Sequence, residues 1–129
     1  LYVPEVDLYG ANGQKIREYT LTELHTLAAA ATSDTTIEIP AGAECLGVGI
    51  RITTEITGCV TLDVCIAGAT TRYGTGIALI ATTTAKLALT NSYAAATKIR
   101  FTATGGGASF TAGVIRVDVY VRAITPPTS

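Results

Sequence analysis

Methionine and tryptophan are absent from this chain of 129 residues, histidine occurs once, and only 15% of residues are charged. Each scarcity excludes something. With His25 as the lone imidazole, any Ser/His/Asp or Cys/His site must use that residue. No HExxH, CxxC or Cys/His cluster is present, so nothing points to zinc. Lysine and arginine total 9 against 10 acids, a net charge of -1. No basic excess is available for nucleic acid or anionic lipid. Apolar runs all fall short of the ~18–20 residues a membrane-spanning helix needs. The first residues, LYVPEVDLYG, lack the basic and apolar regions of a signal peptide. A chain that opens on Leu1 is expected to be an excised domain of a larger protein. Cysteines are few and odd in number: Cys45, Cys59 and Cys65. Full pairing within the chain is impossible, and free thiols acting as small apolar side chains are expected.

What is present is threonine, alanine and glycine, with apolar residues in alternation. The clearest stretch is Ala41 to Gly68. There Leu46, Val48, Ile50 and Ile52 alternate with smaller or polar residues, as do Val60, Leu62, Val64 and Ile66. Successive strand side chains point to opposite faces, so each run has one apolar face. A turn at Thr57-Gly58 between them predicts an antiparallel hairpin. Val114 to Ile124 alternates most cleanly of all. Further strands are expected at Leu21–Ala31, Thr35–Ile39, Ile77–Ala81, Lys86–Thr90 and within Tyr93–Ala103. Turns are expected at Ser33-Asp34 and Gly105–Gly107, and a long loop over Gly68–Gly76. Pro126-Pro127 stops the last strand. The expected core is Leu46, Val48, Ile50, Leu62, Val64, Ile99, Ile115, Val117 and Val119. Short strands with regular turn signals predict an all-β, antiparallel β-sandwich of jelly-roll type. It is read as a single domain over 20–129, preceded by an N-terminal arm over 1–19. Tyr2, Val6 and Leu8 of that arm are available to a neighbouring chain, or the arm forms an edge strand.

Candidate chemistry is thin. His25 sits in a predicted strand with no motif around it, which favours a structural or surface role. The ten carboxylates are scattered, and none is marked as half of a glycosidase pair. Gly74 to Gly76 lacks the lysine and helix of a phosphate loop. No catalytic residue, metal or cofactor is assigned. Arg51, Asp63, Arg100, Arg116 and Asp118 lie on the mixed faces of strands. They read either as cross-strand ion pairs on a solvated or subunit-facing surface, or as a polar ligand site. Tyr73, Tyr93 and Tyr120 are available to stack on sugar rings, or to serve as strand-end and interface aromatics.

Four segments in order carry a family likeness: IEIPAGAECLGVGIRITTEITG, TLDVCIAGATTRYGTGI, YAAATKIRFTATGG and FTAGVIRVDVYVRAITPP. Together they resemble the C-terminal β-sandwich domain of bacteriophage tail fibres, tailspikes and related tail-associated proteins. The likeness spans roughly residues 35–127. It implies a virion protein assembled in the bacterial cytoplasm, a homotrimer at a fibre tip, and contact with host cell-surface polysaccharide as an accompanying role. It implies no catalytic residues. Asp63 and the pair Arg72-Tyr73 match its loop, as loop-fixing contacts first and receptor contacts second. Tyr93 joins them as a candidate ligand contact. A dedicated carbohydrate-binding module is the alternative, and a depolymerase the third reading.

Overall fold

A computed structural model describes residues 5–129. The described residues form ten strands: β1 (Glu5–Tyr9), β2 (Lys15–Thr26), β3 (Thr32–Ile39), β4 (Glu44–Thr57), β5 (Thr61–Ile66), β6 (Ala69–Ile77), β7 (Thr84–Leu87), β8 (Asn91–Ser92), β9 (Thr97–Thr104) and β10 (Ala112–Thr125). The larger sheet runs β1-β2-β10-β4-β7, with β8 also on β4, and the smaller runs β3-β9-β5-β6. Every pairing is antiparallel. The pairs β2–β10, β3–β9, β4–β7 and β5–β6 are nested around the turn at 67–68, where Gly68 takes φ +84°. A ribbon folded in half at that turn and then rolled up gives this order, which is the jelly roll.

The core lies between the sheets. From the larger come Val48, Ile50, Ile52, Ile115, Val117, Val119 and Val121; from the smaller come Leu62, Val64, Ile99 and Phe101. Of the nine residues expected inside, eight are buried; Leu46 is only half-buried. The ladder explains the exception. Tyr120 faces Gly47 and Val121 faces Cys45, so Leu46 is the extra residue of a β-bulge and is turned outward. Cys45 takes its inward place. All three cysteines are free, and burial pushes the Cys59 and Cys65 thiols above their ordinary range.

The central stretch is not a hairpin. β4 and β5 belong to different sheets, and the link around Gly58 carries the chain across the sandwich. Their apolar faces are buried as alternation requires, but they face each other across the core. Alternation fixes a strand's face and says nothing about its partner. Residues 5–19 are not irregular: β1 pairs with the first part of β2 as the edge-strand alternative supposed. Tyr2 lies outside the described residues. Leu21–Ala31 is strand only to Thr26, and Ser33-Asp34 lies inside β3. The expected loop at 68–76 is β6, irregularly paired to β5. Of the strand expected at Ile77–Ala81, only Ile77 is sheet, and the next strand is displaced to Thr84–Leu87. Here Gly and Thr signals reported bulges in a paired strand rather than a loop.

Candidate functional site

Three of the four residues singled out for ligand contact come together on β6 and the segment before β9. The Tyr73 and Tyr93 hydroxyls are 2.7 Å apart. The Arg72 guanidinium lies over the Tyr93 ring, 5.8 Å from its centroid. Tyr73 is buried, and this burial, with Cys45 and Tyr93 beside it, drives its phenol far above its ordinary range. It is a neutral phenol throughout the physiological range. Asp63 stands apart on β5. Its carboxylate accepts the Gly76 N–H at 3.1 Å, where Gly76 takes φ +66°. That contact fixes the irregular end of β6, in keeping with a loop-fixing role. Arg72 thus occupies one face of the Tyr93 ring. Of the three tyrosines weighed for stacking, Tyr120 is the one with an open ring, 42% exposed.

The lone histidine has partners that the sequence did not reveal. His25 Nε2 lies 2.7 Å from Ser33 Oγ, and His25 Nδ1 lies 2.9 Å from the Glu23 carboxylate. Serine, histidine and carboxylate thus stand in the order of a hydrolytic triad. The rest of the geometry argues for a structural relay. Ser33 Oγ also accepts the Ala28 N–H at 3.0 Å, and because a carboxylate can only accept, His25 Nδ1–H donates to Glu23; in the neutral ring Nε2 is then left to accept the Ser33 hydroxyl. The second Glu23 oxygen accepts the N–H groups of Thr36 and Ile37 at 2.8 and 2.9 Å. Those two amides fall where the β3–β9 register breaks between Asp34 and Glu38. Glu23, on the other sheet, stands in for the missing strand partner of these two amides. Ser33 is 4% exposed, and Phe101 stacks on the His25 ring at 5.7 Å. Ser33 lines none of the five most pronounced surface cavities of the described residues. The one available signal was the inward position shared by Tyr19, Leu21, Glu23 and His25: polar side chains on an apolar face require partners.

Ser33→Ala tests this relay. It removes the part-buried partner of the Ala28 N–H and of one imidazole nitrogen, and should lower the unfolding free energy by about 1–3 kcal/mol. The shift is read from the denaturant midpoint, and an unchanged midpoint would contradict the relay.

Elsewhere, charges pair across the strands. Arg100 grips Asp34 with two bonds of 2.7 and 3.0 Å, holding the Asp34 carboxyl below its ordinary value. Arg17 holds Asp7 in the same way, and Arg122 reaches Glu18 at 3.0 Å. Of the five charged residues expected on the mixed faces, only Arg100 forms an ion pair. Arg51, Arg116 and Asp118 form none among the described residues. No three metal-ligating side chains converge among the described residues.

No protein-family model and no curated protein matches the sequence. Among solved structures, a chain of the cyanophage Pam1 capsid asymmetric unit is similar over 98% of this chain and 93% of its own, with a TM-score of 0.53 and 24% identity. The likeness is one of fold. It extends over the whole jelly roll, from the β1–β2 hairpin to the end of β10.

Proposed function

We propose that this chain is a non-catalytic structural module of a phage particle, and that it works as a homotrimer. The observation that carries this reading is an apolar row left uncovered on the outer face of the larger sheet. Leu8 on β1, Ile16 on β2 and Ile124 on β10 lie side by side in register, at 63%, 36% and 63% exposure. A groove of about 420 Å³ lined by these residues, Pro126 and Pro127 continues the row. Side by side on a sheet edge, such residues favour burial against another subunit, and cyclic symmetry closes the contact without open-ended growth. The edge of β1 is also unpaired on its outer side, which offers a strand to a neighbour.

The fold shared with a cyanophage capsid chain supports a place in the virion. The resemblance to tail-fibre and tailspike domains supports the narrower placement at a fibre tip, where three chains are held in register. The closed serine relay supports the absence of hydrolytic activity. Light scattering on the purified chain tests the reading: a particle of three subunits, three times 13.3 kDa or about 40 kDa, is expected. A monomer at micromolar concentration would overturn the trimer. Release of reducing ends from a host polysaccharide by this chain alone would overturn the non-catalytic role.

A further inference from the structure

On this protein, charged residues that face each other across strands have opposite signs. Asp7 faces Arg17, Glu18 and Glu44 face Arg122, Asp34 faces Arg100, and Glu38 faces Lys98. One pair breaks the pattern: Arg116 on β10 directly opposes Arg51 on β4. Like charges at such positions repel and destabilise a sheet. Nothing in that row relieves them, since its other members are Leu24 and Thr84. Lys86 on β7 is in the next row, opposite Gly49, with Asp118 on the far side of the same glycine. Gly49 has no side chain to separate them, and the Tyr120 ring edges over its backbone: a β-carbon there would meet the Tyr120 hydroxyl at 3.1 Å. Arg51, Lys86, Arg116, Asp118 and Tyr120 together line a groove of about 230 Å³. Past Tyr120 it continues into an apolar trough of about 290 Å³ over Gly47, walled by the outward-turned Leu46 and by Ala88.

We propose that this groove binds an acidic sugar, a pyranose ring bearing a carboxylate or sulfate. The oxyanion sits among Arg51, Arg116 and Lys86, whose three charges exceed the single Asp118 by two. Guanidinium groups suit a planar two-oxygen anion. The ring lies on the open face of Tyr120, with its apolar side against Leu46 and Ala88. Three cations in one spot suit one anionic group. The phosphate backbone of a nucleic acid would call for a stripe of them, which this chain of net charge -1 lacks. The anion-binding end of the site lies well along β10 from the apolar row: eight residues separate Ile124 from Arg116, roughly 26 Å at ~3.3 Å per residue, and four separate it from Tyr120, roughly 13 Å. Oligomeric state and ligand titration are read independently, so the two proposals stand or fall separately.

The test is a titration of the assembled protein, followed by amide NMR and calorimetry. The probes are a tetramer of galacturonic acid, the neutral galactose tetramer and inorganic sulfate. The acidic tetramer should bind at least tenfold more tightly than the neutral one, shifting the amides around Arg51, Arg116 and Tyr120, and weaken as salt is added. Arg51→Ala with Arg116→Ala should cost tenfold or more. Both side chains are exposed, with no ion pair to lose and a like-charge repulsion to relieve, so a melting temperature at or above that of the wild type confirms that the variant is folded. Tyr120→Ala should weaken the tetramer severalfold and leave sulfate unaffected, while Asp118→Asn should tighten both. The proposal is overturned by equal binding of the two tetramers, by binding of sulfate alone, by wild-type affinity in the double arginine variant, or by no binding of the acidic tetramer.

Discussion

Leu62→Ala should lower the free energy of unfolding by about 2–5 kcal/mol, the range for truncating a fully buried leucine. Leu62 is 0% exposed and lies on β5, one of two inner strands of the smaller sheet, between Ile77 of β6 and Ala103 of β9. The two neighbours are held in place by their own ladders, so they cannot collapse into the space left behind. The cavity term therefore adds to the lost transfer energy. Denaturant unfolding measures the loss, and a cost below about 1 kcal/mol would place Leu62 outside the core. The same measurement on Val60→Ala supplies the contrast. Val60 is 64% exposed just before β5, and its truncation should stay within about 0.5 kcal/mol.

Gly58→Ala should be at least as damaging, although it removes nothing. Gly58 takes φ +101° where the chain passes from one sheet to the other. A β-carbon there would stand 2.2 Å from the Ser109 carbonyl oxygen and 2.9 Å from the Thr111 amide nitrogen. Both obstacles are backbone. Thr111 N–H is itself bonded to the Thr57 carbonyl at 2.9 Å, so the crossing cannot widen without breaking that bond. The unfavourable φ alone costs ~1–3 kcal/mol, and the collision adds to it. Gly68→Ala separates the two contributions. Gly68 has a similar φ of +84° at the ribbon's fold but open space around it, so only the conformational cost should appear. Equal losses at both positions would show that the crossing is not tight.

The two substitutions mark what the sequence could and could not disclose. Alternation in β4, β5, β9 and β10 identified the buried face of each strand, because burial acts on side chains one residue at a time. Pairing is decided between segments far apart in the chain. The tight Thr57-Gly58 turn carries the same residue signature whether the chain doubles back in one sheet or crosses to the other. The bulge at Leu46 was invisible for a related reason, since its displaced register is set by Tyr120 and Val121 of a distant strand. The relay was half legible: Glu23 and His25 fell on an apolar face, but Ser33 lies across a change of sheet. Asp63 accepts the Gly76 N–H at the irregular end of β6, a contact that only the β5–β6 register brings about. Arg51 and Arg116 were noticed as mixed-face charges, and only the register showed that they oppose each other.

The central claim is that this jelly roll is a structural module assembled through its β1–β2–β10 corner. Light scattering of the wild-type chain beside Ile124→Asp tests it most directly. Ile124 is 63% exposed, so the substitution leaves the core intact while placing a charge in the apolar row. The account predicts a mass near three subunits for the wild type and one subunit for a folded Ile124→Asp variant. A wild type that remains monomeric at micromolar concentration, or a variant that remains trimeric, would contradict it.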